Sequence, residues 1–234
     1  MLLEPELSVV MPAYNEEGCI EKVVREWVSV ISGRVDSFEV IVVNDGSRDS
    51  TGTLLDRLAA GVPALRVIHQ SNAGHGAALR RALEAARGQW IFHVDSDDQF
   101  RPLDFWKLWE ARDGYDYLCG QRVRRRDPLH RRVITGLARL LNRALFGVWL
   151  RDANVPFKLM RRPALAQLLA VVPAGVFAPS IMMTVAARRR FRFLEIPVEH
   201  LARTTGRISI VRWGLVKACW RCARELMAFR AALQ

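Results

Sequence analysis

Hydrophobic and polar positions alternate in a regular order along the N-terminal half of the chain. Four short apolar and β-branched runs are typical of buried strands, and they lie at 7–11, 38–43, 65–69 and 90–94. Three stretches between them carry apolar residues at helical spacing, and they lie at 19–31, 54–58 and 77–86. We expect the first strand to stop at Pro12, because proline cannot donate a ladder hydrogen bond. This alternation predicts an α/β domain with a mostly parallel central sheet and helices on both faces.

An amphipathic helix is predicted at 129–149. Leu137 and Leu141 belong to its apolar stripe, and arginines occupy the opposite side at helical spacing. Such a helix suits either a membrane interface or packing on the core with its basic face in solvent. The pattern does not choose between these two arrangements.

The C-terminal part of the chain predicts further helices and one more strand. A helix is expected at 181–187, and a strand at 191–198. A broad apolar arc at 209–233 predicts a terminal amphipathic helix. We therefore divide the chain into a main domain at 1–206 and a helical segment at 207–234.

Polar clusters follow three of the four N-terminal strands. They are Tyr14/Asn15/Glu16, Asn44/Asp45/Ser47 and Asp95/Asp97/Gln99. In open α/β sheets, ligands bind beyond the carboxyl ends of the strands. Ordinary turn residues explain each cluster, but they do not explain the coincidence of three clusters at one edge. We therefore expect a binding site there.

The third cluster has the chemistry of a metal site. An extended backbone lets Asp95 and Asp97 reach one cation, and Gln99 adds a neutral oxygen. Hard oxygen ligands suit Mg²⁺ or Mn²⁺, with a nucleotide diphosphate filling the remaining positions. A solvated acidic turn is the alternative for so short a motif. We interpret His75 and His93 as structural residues.

The chain carries 35 basic and 24 acidic residues, which gives a formal net charge of +11. This charge points to nucleic acid, an anionic membrane or phosphorylated substrates. A nucleic-acid partner is disfavoured because the sequence has no zinc-finger, RNP or helix-turn-helix pattern. The 4 cysteines do not make a disulfide framework, and no signal peptide or run of 18 apolar residues is visible. We expect a cytoplasmic protein without a transmembrane helix.

Several motifs in this order resemble glycosyltransferase family 2, and more narrowly its dolichyl- and polyprenyl-phosphate sugar transferases. They are Pro12-Ala-Tyr14-Asn-Glu16, Asn44-Asp45-Gly-Ser47-x-Asp49, Asn72-x-Gly-x-Gly76, Asp95-Ser96-Asp97-x-Gln99, Gly120-Gln-Arg122, Pro156-Phe-Lys158 and Arg203-Thr-Thr-Gly206. The resemblance spans 7–210 and implies the GT-A nucleotide-sugar fold. The chain departs from the family at Asn44, Ser96 and Asp98, and again at Ile208 and Ser209.

The resemblance also implies roles for individual residues. The donor nucleotide sugar, linked to UDP or GDP, would contact Pro12, Tyr14, Glu16, Asp45, Asp95, Ser96, Asp97 and Arg203. Asp45 would hydrogen-bond the base, because a carboxylate accepts from a ring N–H. Asp95, Asp97 and Gln99 would hold Mg²⁺ or Mn²⁺. The resemblance further implies that Asp95, Asp97 and Arg122 are the catalytic residues, with Arg122 neutralising a phosphate.

The implied reaction is metal-dependent, inverting transfer of a sugar to a polyprenyl or dolichyl phosphate. An ionised acceptor phosphate needs cations more than a general base, and Arg122, Arg131 and Arg132 would supply them. The alternative is transfer to a soluble saccharide or another hydroxyl, which needs a base. Asp98, Asp152 and Glu199 are the candidates for that base. For a lipid acceptor, we expect peripheral attachment to the inner face of the cell membrane.

Overall fold

A computed structural model describes residues 4–123, 129–202 and 213–233. Its strands are β1 (Leu7–Ala13), β2 (Phe38–Asp45), β3 (Leu65–Gln70), β4 (Trp90–Val94), β5 (Tyr117–Val123), β6 (Phe157–Arg161) and β7 (Phe193–Glu199). Its α-helices are α1 (Ile20–Ser32), α2 (Thr51–Gly61), α3 (His75–Ala85), α4 (Phe105–Glu110), α5 (Leu129–Phe146), α6 (Arg162–Val171), α7 (Pro179–Arg190) and α8 (Trp213–Ala232). Within these ranges the strands form one 7-stranded sheet in the order β3-β2-β1-β4-β6-β5-β7.

The N-terminal half of the sheet is parallel, as the alternation of strands and helices predicts. β1 lies between β2 and β4 and runs parallel to both, and β3 runs parallel to β2. The register places Ala13 opposite Asn44, and Asn44 opposite His69. The carboxyl ends of these strands therefore meet at one edge, and the polar clusters that follow them lie side by side.

The first strand does not stop at Pro12, contrary to the sequence prediction. β1 continues to Ala13, and Pro12 pairs with Val43 of β2. The pairing of β1 with β4 ends earlier, at Val10 and His93. Pro12 thus lies where β1 has only β2 as a neighbour, so its missing N–H removes no bond on the other side.

The second half of the sheet contains two strands that the sequence analysis missed, β5 and β6. β6 runs antiparallel to both β4 and β5, and β7 runs parallel to β5. The first strand that was missed is β5, and Gln121, Arg122 and Val123 form its end. The second residue of β6 is the charged Lys158, which is only 1% exposed. The predicted strand at 191–198 is confirmed as β7.

An aromatic cluster packs α1 against the centre of the sheet. Phe92 of β4 contacts Trp27, Phe105 and Phe157, with ring centroids 4.8–5.2 Å apart. Such edge and tilted contacts add specific stabilisation to the burial of large apolar surface. The cluster fixes β4 two residues before its carboxyl end, where the functional residues begin.

The predicted amphipathic helix forms as α5, and its apolar stripe divides between two environments. Leu141 and Leu145 are partly buried against the core, and Phe146 lies 6.1 Å from Phe229 of α8 between ring centroids. Leu137 and Leu140 are instead 60% and 59% exposed. Among the described residues, we find no helix with the length and apolar character needed to cross a bilayer.

Candidate active site

The loop after β1 is tied to the loop after β2 by several hydrogen bonds. The backbone N–H of Asn15 donates to Ser47 Oγ at 3.0 Å, and that of Glu16 donates to Thr51 Oγ1 at 2.8 Å. Asn15 adopts the left-handed conformation, with φ of 55°, which Asn tolerates better than most residues. Tyr14 is 37% exposed beside this junction. Two of the three predicted clusters therefore form one continuous surface.

Asp45 is the anchor of the glycine loop that precedes α3. Its Oδ1 accepts from Gln70 Nε2 at 2.7 Å and from the backbone N–H of Ala73 at 2.8 Å. Its Oδ2 accepts from the backbone N–H of Gly74 at 2.9 Å. The side chain of Asn72 donates to the Asp45 carbonyl at 3.0 Å. Asp45 therefore binds two backbone N–H groups of the loop. The loop thus has a structural role, because these bonds fix its conformation before α3 begins.

The acidic turn after β4 is held from both sides. Ser96 Oγ donates to the Pro12 carbonyl at 2.9 Å, which links the turn to β1. Gln99 Nε2 donates to the Leu201 carbonyl at 3.1 Å, and the Gln99 backbone N–H donates to Asp97 Oδ1 at 3.3 Å. Asp98 has φ of 58°, a left-handed conformation that is strained for most residues. The turn thus has a defined shape at the point where β4 delivers Asp95 and Asp97.

Two histidines lie against Asp95. Nε2 of His93 is 3.6 Å from Asp95 Oδ1, and Nε2 of His75 is 3.9 Å from the same oxygen. Their ligand atoms lie within 4.8 Å of one another, and no other group of at least three His, Cys, Asp or Glu residues with this property occurs in the described ranges. The donor set of two imidazoles and one carboxylate fits a divalent metal.

The electrostatics of this group follow from its burial and its neighbours. Burial alone would raise the pKa of Asp95, but the nearby His75, the contact with the His93 ring and the charge of Arg122 outweigh it and lower the pKa. Burial lowers the pKa of His93 below its usual value, although Asp95 opposes this effect. Both conditions favour a carboxylate and a neutral imidazole, which are the forms that bind metals.

Sequence reasoning interpreted the two histidines as structural and did not place them beside Asp95. His93 lies in β4 and Asp95 is the first residue after it, so an extended backbone places the two side chains on the same face. That spacing was the only local signal. His75 comes from the start of α3, and only the fold brings it to Asp95.

Arg122 is paired with Asp152. Its Nε and Nη2 donate to the two carboxylate oxygens at 2.6 Å and 2.9 Å, and Asp152 is only 4% exposed. This bidentate geometry fixes the plane of the guanidinium. The positive charge of Arg122 also contributes to the lowered pKa of Asp95, so Arg122 acts electrostatically on the acidic turn. The structure therefore brings Arg122 to the predicted site as part of an ion pair.

Lys158 is a second cation in this region, and the sequence analysis named it in a motif without assigning it a role. It lies opposite His93 of β4 and Cys119 of β5. Its Nζ donates to the carbonyls of Ala153 and Ser180 at 3.1 Å and 3.0 Å, and also to Ser180 Oγ. Burial lowers the pKa of Lys158 to about 8.

The three candidate bases are all engaged in ion pairs. Asp98 lies 2.6 Å from Lys22 Nζ, and Glu199 lies 2.9 Å from Arg101 Nε. Asp152 is held by Arg122, as described above. Each of these carboxylates therefore has at least one oxygen that already binds an adjacent cation.

Three of the predicted cationic residues lie outside the described part. These are Arg203 and the side chains of Arg131 and Arg132, although the backbone of the last two belongs to α5. The predicted donor and acceptor contacts of these residues remain predictions.

The family model described as "Glycosyl transferase family 2" matches residues 8–169 of this chain. Among curated proteins, "Glycosyltransferase AglD" of Haloferax volcanii is 36% identical over 223 residues, which cover 88% of this chain and 35% of that protein. The undecaprenyl-phosphate 4-deoxy-4-formamido-L-arabinose transferase of Pseudomonas aeruginosa is 32% identical over 203 residues, covering 86% of this chain and 59% of that protein. The chain thus spans between about one third and three fifths of the length of these relatives.

Solved structures share the fold. Glucosyl-3-phosphoglycerate synthase of Mycobacterium tuberculosis, in complex with Mn²⁺, UDP-glucose and phosphoglyceric acid, superposes with a TM-score of 0.69 and 23% identity, covering 97% of this chain and 80% of that one. The mannosyltransferase PcManGT of Pyrobaculum calidifontis, with GDP-mannose and Mn²⁺, gives a TM-score of 0.61 and 20% identity, covering 99% and 74%. The predicted GT-A fold is confirmed by these likenesses.

Proposed function

Because the chain belongs to glycosyl transferase family 2, we propose that it transfers a sugar from a nucleotide diphosphate sugar to a polyprenyl or dolichyl phosphate. The observation that carries the choice of acceptor is the pairing of Asp98, Asp152 and Glu199 with cations. A hydroxyl acceptor needs a general base with an accessible proton-accepting oxygen. A phosphate monoester is already largely ionised near neutral pH, because its second pKa is about 6.

The donor would lie across the junction of the first two polar clusters. Tyr14 is exposed there, and Pro12 and Glu16 flank it along the chain. Asp45 would accept from the base in addition to the three bonds that it already makes, since an ionised carboxylate offers about four acceptor positions. Arg203 would neutralise the diphosphate. UDP and GDP donors both fit this description.

The leaving diphosphate would meet the acidic turn after β4. Asp95, Asp97 and Gln99 would hold a Mg²⁺ or Mn²⁺ ion, which would supply Lewis-acid and electrostatic stabilisation of the leaving group. Ser96 ties this turn to β1 and so keeps the two halves of the donor site in register. Preorganised charge of this kind accounts for most of the catalysis when the nucleophile is already ionised.

The acceptor phosphate would bind Arg122, Arg131 and Arg132. Asp152 holds the guanidinium of Arg122 in one plane, which restricts the direction from which a phosphate can approach. Direct attack of the phosphate oxygen on the anomeric carbon inverts its configuration. The curated relative from Pseudomonas aeruginosa carries undecaprenyl phosphate in its name, which supports a lipid phosphate as acceptor.

We also propose that the protein attaches to the inner face of the cell membrane through α5 and α8. Leu137 and Leu140 of α5 are exposed, as are Trp220 and Met227 of α8. Arg224 stacks over the ring of Trp220 at 5.0 Å from its centroid. Exposed aromatic and apolar residues beside arginines suit an anionic membrane surface, as does the formal net charge of +11.

A transfer assay tests the proposal. The protein is incubated with Mn²⁺, a radiolabelled UDP- or GDP-sugar and either a polyprenyl phosphate or soluble saccharides, and the label is partitioned between an organic and an aqueous phase. The proposal expects label in the organic phase, and only with the lipid phosphate. Label in an aqueous product, with none in lipid, would favour the hydroxyl-acceptor alternative.

A further inference from the structure

We propose that His75 and His93 are ligands of the donor-site metal together with Asp95, so that the site selects Mn²⁺ over Mg²⁺. This inference rests on the proposed function for the presence of a metal at this edge of the sheet. It corrects our interpretation of the two histidines as structural residues. It also adds two nitrogen ligands to the predicted oxygen ligands Asp95, Asp97 and Gln99. Asp95 belongs both to this oxygen set and to the group with the two histidines.

Two buried atoms in this group have no hydrogen-bond partner. They are Nε2 of His93 and Oδ1 of Asp95, and they face each other at 3.6 Å. His93 is only 2% exposed, so bulk water does not compensate its nitrogen. Buried polar atoms in folded proteins are nearly always paired, and an orphaned pair calls for an ion or an ordered water between them. An imidazole lone pair and a carboxylate oxygen both point to a cation.

The two separations measured from Asp95 fit a shared ion. Two ligands bound to one ion, each at about 2.0–2.2 Å, lie at most about 4.4 Å apart. The distances from Asp95 Oδ1 to His93 Nε2 and to His75 Nε2 are 3.6 Å and 3.9 Å, which both lie inside that limit. The side chain of His75 is 56% exposed, so a small rotation brings its nitrogen closer without disturbing the core.

The neighbouring cations do not block the site. Arg122 is directed to Asp152 through two hydrogen bonds. The ammonium of Lys158 is directed to the carbonyls of Ala153 and Ser180. Each of these positive charges therefore has its own oxygen partners, and the Asp95 oxygen remains available to a metal.

The ligand set determines the preference among metals. Mg²⁺ takes oxygen ligands, demands near-ideal octahedral geometry and keeps several waters. Imidazole nitrogens instead favour transition metals. A site with two imidazoles therefore binds Mn²⁺ more tightly than Mg²⁺, and we expect a difference of about tenfold or more in Kd.

Electron spin echo spectroscopy of bound Mn²⁺ detects nitrogen ligands directly. The full chain is loaded with Mn²⁺ in the presence of UDP, once with natural-abundance histidine and once with [¹⁵N]histidine. We expect nitrogen modulation that changes from the ¹⁴N to the ¹⁵N pattern with the labelled protein. His75→Ala should remove one nitrogen and raise the Kd for Mn²⁺ about tenfold or more, on the scale of losses at metal sites.

The control variant is His69→Ala. Like His75, His69 is partly exposed and lies beside a carboxylate, with its Nε2 2.9 Å from Asp56 Oδ1, but it belongs to β3 and lies outside the group. The His69→Ala variant should leave the nitrogen modulation and the Kd for Mn²⁺ unchanged. His93→Gln tests the buried ligand, and because His75 is exposed, His75→Ala remains decisive if His93→Gln fails to fold.

The outcomes separate this inference from the proposed function. Mn²⁺ that binds without nitrogen modulation, in a protein that still transfers sugar, overturns the histidine ligands and leaves the proposed function standing. Failure to bind Mn²⁺ even with UDP overturns the inference, and the transfer assay then decides the proposed function separately. Equal Kd values for His75→Ala and the wild type would also overturn it.

Discussion

Replacing Asp45 by asparagine probes the anchor of the glycine loop. The carboxylate accepts from the backbone N–H of Ala73 on one oxygen and from that of Gly74 on the other, at 2.8 Å and 2.9 Å. An asparagine amide has a single oxygen. In either orientation its NH₂ group therefore faces donors that Asp45 now satisfies. Asp45 is only 2% exposed, so water does not replace the lost bond.

The cost of this change follows from the bonds lost. A buried donor left without an acceptor costs about 1–3 kcal/mol, and the remaining bonds lose the extra strength of a charged acceptor. We therefore expect Asp45→Asn to lower the free energy of unfolding by roughly 3 kcal/mol. For a chain of this length, each 1 kcal/mol lowers Tm by about 2–4 °C, so Tm should fall by about 6–12 °C.

Thermal unfolding and calorimetric titration with a nucleoside diphosphate measure both effects. Gln70→Ala is the matched control, because it removes one donor to Asp45 but keeps both bonds to the loop. Its Tm should fall by no more than about 4 °C, in line with roughly 1 kcal/mol for one hydrogen bond. Asp45→Asn should also raise the Kd for the nucleotide. The rate at saturating donor should fall by a smaller factor than the factor by which Kd rises. The reasoning fails if Asp45→Asn and Gln70→Ala have the same Tm and the same Kd.

Asp97→Asn should abolish turnover and leave the circular dichroism spectrum unchanged, because a lost charge at the metal–diphosphate costs about 3 kcal/mol or more. Full activity in EDTA would contradict the metal assignment. Replacing Arg131 and Arg132 together by alanine should raise the KM for lipid phosphate and leave the donor Kd unchanged; an unaltered KM at limiting acceptor would refute the acceptor site. Leu137→Glu should reduce sedimentation with anionic liposomes at unchanged Tm, because Leu137 is 60% exposed. Leu141→Glu should instead lower Tm, because Leu141 packs on the core. Equal effects of the two leucine variants would contradict the division of the stripe.

The parallel half of the sheet was predictable from local patterns. Each run of apolar residues was followed by turn residues, and the parallel order placed their ends together. Pro12 misled the prediction because its place beyond the last β1–β4 pair depends on register, which no local pattern reveals. The two strands of the second half were missed because Arg122 and Lys158 made them look like surface segments. Their burial depends on partners far along the chain, such as Asp152 and Ser180.

The candidate site was also predictable only where its residues are close together in the sequence. The acidic turn is a contiguous motif, so Asp95 and Asp97 were recognisable from the sequence. The histidines were not, because His75 and Asp95 come from different elements and meet only through the fold. The stripe of α5 was ambiguous because its division depends on contact with α8 at Phe229. The sequence shows both faces of α5, but it does not show which distant segment of the chain covers one of them.

The most direct measurement compares a polyprenyl phosphate with the polyprenol of the same length as acceptors. Both carry the same apolar tail, so they differ only in the ionised phosphate that the account pairs with arginines. With Mn²⁺ and a radiolabelled nucleotide sugar, we expect organic-phase product from the phosphate and none from the alcohol. Transfer to the alcohol at a comparable rate would mean that a general base acts at this site, and it would contradict the account.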